Sequence, residues 1–339
     1  MQNILYVMTT DSYLYYENEA IVIKIGGQEK ARIPSHTIES IMCFGNTTVS
    51  TPFIGFCGEH NIGLTFLSEH GKFLGRVYGA VSGNVLLRKH QYEALANNQV
   101  SCQLVKSILY GKFANSKMVL MKSAREQDDS EAKGRLTLAV EKISQTASAL
   151  ENIEDIDAMR GLEGNAASDY FSVFDDMIKV KDSHMIFVRR SRRPPENEVN
   201  ALLSFLYMLL KNDVQSALEG VGLDPAAGFL HTLRPGRPSL ALDLMEELRS
   251  PLCDRMALSL INLKQIKATD FEQESGRFIL SDNARRTVID QWQKRKKEEI
   301  IHPFFEQKIA IGLIPYAQAQ LLARVIRGDL DEYPAFYWR

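Results

Sequence analysis

The sequence predicts an α+β protein, in which a small N-terminal β-rich domain is followed by a larger all-helical domain. Three observations carry that prediction. Up to about residue 80 the chain breaks into short runs rich in Ile, Val, Tyr and Phe, punctuated by glycine, proline and asparagine. Beyond that point apolar residues recur at intervals of three and four, the period of a helix with one buried face. A chain of 339 residues is also long enough for two cores of ordinary size.

Asn3 to Met8, Ser12 to Glu17, Ala20 to Ile25, Lys30 to Ile33 and Ile38 to Phe44 read as strands, with turns at Gly26-Gly27, Pro34 and Gly45-Asn46. Thr51 is the predicted cap of a short helix that has Pro52 at its first position and runs to about His60. Gly63 to Leu67 and Phe73 to Tyr78 read as two more strands around a turn at Glu69 to Gly71. Composition changes at Ser82-Gly83-Asn84, which divides the chain into residues 1–83 and 84–339. Helical spacing follows through Val85, Leu86, Tyr92 and Leu95, then Leu104, Ile108, Leu109 and Phe113, then Leu136, Leu138, Val140 and Ile143. A further helix is expected from Ile153 to about Phe174. Pro195 to Leu218 is the clearest of all, because Leu202, Leu203, Leu206, Leu209 and Leu210 make one face. A loop rich in glycine and proline, Gly220 to Pro235, leads to a helix from about Pro238 to Leu263, and two or three more helices complete the domain.

The hydrophobic and charged fractions, 45% and 24%, are those of an ordinary globular chain and exclude fibrous, disordered and disulfide-stapled classes. The opening residues have no basic region followed by an apolar run, so a signal peptide is not expected. No apolar run is long enough for a bilayer, so no membrane partner is expected. Cys43, Cys57, Cys102 and Cys253 show no paired spacing and read as reduced thiols in a cytoplasmic protein. The net charge of −2 means that a nucleic-acid ligand would need a local basic patch. Arg189, Arg190, Arg192 and Arg193 offer one, since arginine's planar fork suits phosphate oxygens. The second basic stretch, Lys294 to Lys297, is balanced by Glu298 and Glu299 and reads as a solvated helix face.

The residues of chemical interest lie in the helical domain. Asp243 and Glu246 are three apart and share a helix face with an apolar border. His231 lies in the loop before them, and Glu163 sits in the apolar setting MRGLEGNAASDYF. Buried carboxylates must be neutralised, paired or bound to a metal. Two carboxylates and an imidazole would suit Mg²⁺ or Mn²⁺, whereas zinc is disfavoured by the lack of a thiolate cluster. Taken singly, each of these residues is better explained as solvated or hydrogen-bonded, and spacing alone does not bring them together.

Four ordered segments change that weighing: MRGLEGNAASDYF, RRSRRPPENEVNALLSFLY, GLDPAAGFLHTLRPGRPSLALDLMEELR and LLARVIRGDLDEYPAFYW. Together they resemble the CRISPR-associated integrase family of spacer acquisition, the first Cas protein or Cas-one, with subtype I-C the most similar branch. The resemblance spans essentially the whole chain and implies the same two-domain fold. It implies Glu163, His231 and Glu246 as metal ligands and Asp243 as the accompanying catalytic acid; Glu246 stands where some members have Asp. Arg234 and Arg249 each follow an implied ligand by three residues and join Arg189, Arg190, Arg192 and Arg193 as expected DNA contacts.

The resemblance further implies a DNA endonuclease and integrase in which a 3′-hydroxyl attacks a repeat phosphodiester. Its implied partners are the spacer duplex, the CRISPR repeat, a second copy of the chain and the small protein Cas-two. The apolar segments Ile21 to Ile25 and Ile38 to Phe44 are expected to need a partner surface, either the helical domain or a second copy; the resemblance points to the second copy and implies a homodimer interface mainly within residues 1–80. Two rival readings stay open: a general metal-dependent nuclease of branched or repair DNA, and a non-catalytic DNA-binding scaffold.

Overall fold

The computed structural model describes residues 4–338 apart from 70, 72, 78, 80–84, 181 and 183. The chain forms two compact units, Met1–Asn84 and Val85–Arg339. The boundary expected at Ser82-Gly83-Asn84 lies outside the described residues, as do Asn3, Tyr78 and the middle residue of the turn at Glu69 to Gly71.

The first unit holds β1 (Ile4–Val7), β2 (Ser12–Glu17), β3 (Ala20–Ile25), β4 (Gln28–Pro34), β5 (Ser40–Phe44), β6 (Thr47–Val49), α1 (Thr51–Glu59), β7 (Gly63–Leu67) and β8 (Phe73–Val77). They make two four-stranded sheets, in the orders β1-β5-β7-β8 and β4-β3-β2-β6. The hairpins β2–β3 and β3–β4 each close through two residues of positive φ, Asn18-Glu19 and Gly26-Gly27. That turn geometry matches the right-handed twist of the strands it joins. The helix α1 is capped one residue earlier than expected: the Ser50 hydroxyl, not Thr51, accepts the Phe53 N–H at 3.3 Å. Val7, Leu14, Ile21, Ile41, Phe53 and Leu64 form one core shared by both sheets and α1.

The strand arrangement corrects one expectation. Ile21 to Ile25 lies in β3, paired on both sides by β2 and β4, and Ile38 to Phe44 contains β5, paired by β1 and β7. Ile21, Ile23, Ile41 and Cys43 are buried in the unit's own core, so these residues make no demand for a partner surface. The edge strand β4 carries Glu29, Lys30 and Arg32, and Arg32 pairs with Glu17 at 2.8 Å and Glu29 at 2.9 Å. Charge of this kind discourages edge-to-edge pairing. On the opposite sheet, β8 leaves Phe73 and Leu74 exposed.

The second unit holds α2 (Val85–Ala96), α3 (Asn98–Arg125), α4 (Ser130–Leu150), α5 (Ile156–Ser172) and α6 (Glu198–Val221). Side chains of Asn97, Asp129, Asp155 and Asn197 cap α3 to α6 by accepting N–H groups of the first turn. The five leucines expected on one face of α6 are all fully buried, and Gly222 at φ 90° ends the helix.

The helix expected from Pro238 to Leu263 is not one regular helix. It divides into α7 (Ser239–Leu244), α8 (Glu246–Leu248), a π-helical turn over Arg249–Asp254 and α9 (Arg255–Asn262). Pro251 accounts for the irregularity, since it lacks an N–H and its ring crowds the carbonyl four residues back. Two short hairpins depart from an all-helical composition: β9 (Phe271–Glu274) with β10 (Arg277–Leu280), and β11 (Glu299–Ile301) with β12 (Lys308–Ala310). Between and after them come α10 (Asp282–Lys297) and α11 (Ile314–Arg327). The predicted order, β-rich and then mainly helical, is the order observed.

Candidate metal centre

Four elements of the second unit converge on one carboxylate, Glu246 at the start of α8. Its side chain is 1% exposed, so its charge must be met by neighbours. Lys112 of α3 donates to its Oε2 at 2.8 Å, and Arg249 Nη2 forms an ion pair with its Oε1 at 2.9 Å. The Nε2 of His231 stands 3.6 Å from the same Oε1. Lys112 also bonds Glu163 of α5, so one ammonium bridges Glu163 and Glu246. Burial pushes the Glu246 carboxyl up, but Arg249, Lys112 and His231 outweigh it and hold the group well below the usual carboxylate range.

The accompanying acid has a different place. Asp243 is fully buried at the end of α7, behind the imidazole. Its Oδ2 accepts the N–H groups of Phe229 at 2.6 Å and Leu230 at 3.0 Å. Its Oδ1 accepts the His231 N–H at 2.9 Å and bonds His231 Nδ1 at 2.6 Å. A carboxylate only accepts, so Nδ1 carries a proton towards Asp243 and the ring is held with Nε2 turned towards Glu246. Asp243 therefore orients the histidine rather than joining the cradle itself.

This fold-back of the loop requires glycine at 228. A Cβ there would lie 2.5 Å from the Ser239 carbonyl carbon, 2.6 Å from the Leu240 nitrogen and 2.7 Å from Asp243 Oδ2. Arg160, one turn before Glu163, ties α5 to the same loop by donating to the Leu230 carbonyl at 2.6 Å.

Among the described residues, no three His, Cys, Asp or Glu side chains stand close enough to hold a metal as they are. The ammonium of Lys112 instead lies between Glu163 and Glu246. The donor set nonetheless fits a hard divalent cation. Two carboxylates flank a point that already holds a positive charge, and an imidazole nitrogen stands 3.6 Å from one of them. Ligands about 2.1 Å from such an ion at right angles stand about 3 Å apart, close to the 3.6 Å between His231 Nε2 and Glu246 Oε1.

The arginines divide into two groups. Arg192, Arg193 and Arg234 are exposed, and Arg189 is exposed but paired with Glu196 at 3.0 Å. Arg190 and Arg249, also expected as DNA contacts, have partners inside the fold. Arg190 donates to Asn200 at 2.8 Å and Ser204 at 3.2 Å, and burial lowers its pKa. Arg190 and Arg249 each lie 5.3 Å from the ring centroid of Tyr207. The Tyr207 hydroxyl in turn donates to buried Asp254 at 2.7 Å. Both guanidinium groups are thus occupied inside the fold, Arg249 against Glu246 and both against Tyr207.

Lys112, Arg160 and Arg237 escaped the sequence reading. Lys112 could have been found as a lone cation on the α3 face that buries Ile108, Leu109 and Phe113. Arg160 lies one turn from Glu163, and Arg237 lies in the same loop as His231. Burial and the charges of Arg234, Arg193 and Arg160 lower the Arg237 pKa, which marks a gathering of like charges around this loop.

Behind Glu246, the adjacent Glu247 is also fully buried. It accepts hydrogen bonds from Tyr333 Oη at 2.6 Å, Phe336 N–H at 2.7 Å and Gln318 Nε2 at 3.0 Å. Burial pushes its carboxyl up to about 7 despite those donors. Asn115 of α3 completes the seal, donating to the carbonyls of Glu247 at 2.7 Å and Phe336 at 2.8 Å.

Comparison with known proteins gives this arrangement its family. The family model "CRISPR associated protein Cas1" matches residues 5–294. "CRISPR-associated endonuclease Cas1 2" of Rhodospirillum rubrum is 47% identical, over 99% of this chain and 98% of that protein. In a solved Cas6-RT-Cas1–Cas2 complex, one chain shares the fold with a TM-score of 0.85 at 22% identity, covering 99% of this chain and 36% of that one. A casposase bound to integration product gives a TM-score of 0.84 at 21% identity, covering 100% of this chain and 95% of the other. With a family model that spans most of its length and a relative this similar from end to end, the chain belongs to the Cas1 family of CRISPR-associated proteins.

Proposed function

We propose that the protein is a metal-dependent DNA endonuclease and integrase that inserts spacer DNA into a CRISPR array. The observation that supports this reading is the pair Glu163 and Glu246 joined through Lys112, with His231 Nε2 3.6 Å from Glu246 and Asp243 fixing the imidazole. Glu163, Glu246 and His231 Nε2 would hold Mg²⁺ or Mn²⁺, which polarises a phosphodiester and neutralises the charge that develops on it. The chain's own residues supply the rest. Asp243 keeps the proton on Nδ1, so that Nε2 is free to ligate. The exposed Arg192, Arg193 and Arg234, with Arg160 and Arg237 beside the loop, hold phosphates on either side of the reacting one. The DNA 3′-hydroxyl is the nucleophile and the repeat's own 3′-oxygen leaves, so the bond count on phosphorus is conserved.

The DNA partners are a spacer duplex and a repeat; the fold shared with a casposase bound to integration product supports that choice. Cas2 is the proposed protein partner, supported by the fold shared with a chain of a Cas6-RT-Cas1–Cas2 complex. We assign residues 84–339 to catalysis and residues 1–83 to dimerisation, with Phe73 and Leu74 of β8 among the exposed apolar side chains of that unit. Four free, buried cysteines fit a cytoplasmic setting, and among the described residues no helix is long and apolar enough to cross a membrane.

The test is strand transfer. A duplex with free 3′-hydroxyls, a repeat-bearing DNA, Cas2 and Mn²⁺ should yield covalently joined product. Glu163→Ala, His231→Ala and Glu246→Ala should each abolish it. Joining retained in Glu163→Ala would refute the site. Cleavage without any joining would favour a general nuclease, and neither activity would favour a DNA-binding scaffold.

A further inference from the structure

Lys112 is placed where no surface lysine could be. Its side chain is 10% exposed, and its ammonium bonds Glu163 and, at 2.8 Å, Glu246. Two carboxylates brought this close in a largely dry site repel each other and lose solvation, unless a cation lies between them. Arg249 forms its ion pair with Oε1 of Glu246 and none with Glu163, whereas the ammonium pairs with both acids. The ammonium is therefore the charge that lets the two acids converge.

An ammonium and a divalent ion cannot share this position. Both would draw on Glu163 and on Glu246, and their charges would repel at such close range. We propose that Lys112 is the resident cation of the cradle, holding Glu163 and Glu246 in register until a divalent ion takes its place, so that occupancy by the ammonium and by the ion is mutually exclusive. Lysine suits this role better than arginine, since its charge is compact and its long flexible stem can swing clear. On this view the ion enters a preformed pocket of correct charge, instead of gathering ligands that have drifted apart. The proposal rests on the cradle assignment given above and adds to it a competitor built into the chain.

The experiment measures Mn²⁺ affinity by calorimetry, and thermal midpoints in EDTA and in Mn²⁺, with no DNA present. Lys112→Met keeps most of the stem and removes the charge. It should lower the midpoint in EDTA by several degrees, bind Mn²⁺ about tenfold tighter or more, and gain more from added Mn²⁺ than the wild type does. Lys112→Arg, which keeps a charge, should bind no tighter than wild type. A purely structural lysine would weaken the fold and leave Mn²⁺ affinity equal or poorer, and that result overturns the proposal. If Lys112→Met folds only when Mn²⁺ is present, the ion has replaced the ammonium and the proposal stands. If it fails to fold in Mn²⁺ as well, the ion cannot replace the ammonium and the proposal falls. Glu163→Gln separates the two claims: Mn²⁺ affinity unchanged in that variant refutes the cradle itself, whatever Lys112 does.

Discussion

Replacing Asp243 by asparagine changes no volume and removes one acceptor, which makes it a sharp probe of the orienting role. Asp243 accepts four hydrogen bonds, two on each oxygen, from Phe229, Leu230 and both nitrogens of His231 that face it. Asparagine keeps one oxygen, so one pair of donors now faces an NH₂ group. A hydrogen bond to a charged acceptor contributes about 1.5–3 kcal/mol, so losing two costs about 3–6 kcal/mol. The chain can soften that loss in one way. If the NH₂ group faces the imidazole, Nδ1 becomes an acceptor and the ring proton moves to Nε2. Part of the stability is recovered, but the lone pair that would meet the metal is lost. Asp243→Asn should therefore lose stability, Mn²⁺ affinity or both. Denaturant unfolding and Mn²⁺ calorimetry on the same sample measure the two together. Unfolding free energy within about 1 kcal/mol of wild type, combined with wild-type Mn²⁺ affinity, would refute the assignment of Asp243 as the group that orients His231.

Three further outcomes follow from the same geometry. Charge reversal of Arg192, Arg193 and Arg234 together should weaken duplex binding and flatten the slope of log affinity against log salt by up to about 0.9 for each phosphate that is no longer neutralised; an unchanged slope means that none of the three touches phosphate. Asp254 is pushed by burial from 3.8 to about 6, so the folded state holds its proton more tightly than the unfolded chain. That contribution, about 3 kcal/mol by linkage, is complete below about pH 4 and lost as pH rises through about 6. Asp254→Asn should accordingly flatten the fall in stability between about pH 4 and pH 6, and an equal fall in variant and wild type would rule this out. Finally, light scattering of the full chain should give the mass of two copies, and Phe73→Asp with Leu74→Asp should reduce it to one. A wild-type mass of one copy removes the dimer.

Much of the fold is legible in local chemistry. Gly26-Gly27 marks a hairpin because both residues must adopt positive φ, and the leucines of α6 declare their face by spacing alone. Ser50 and Thr51 are both good caps, and only the path of the chain decides between them. The hairpins β9–β10 and β11–β12 have strands of three or four residues, too short to display a period. At the site, the spacing of Asp243 and Glu246 correctly puts both on the buried side of their segment. Their division of labour depends on how the loop before them folds back past Gly228, which no helical pattern records. Whether an arginine is a phosphate ligand or an internal prop is likewise set by distant partners. Arg190 and Arg249 are drawn inward by Tyr207 and Glu246, while Arg192, two residues after Arg190 in the same loop, stays in solvent.

Glu246 and Glu247 are consecutive, and consecutive side chains on a helix point about 100° apart. One therefore faces the cradle and the other faces Tyr333 and Phe336, on a helical piece of three residues bounded by the break at Met245 and the π turn that contains Pro251. Residues 333–338 and the cradle thereby share one three-residue support, and Asn115 of α3 clamps that support by donating to the carbonyls of Glu247 and Phe336.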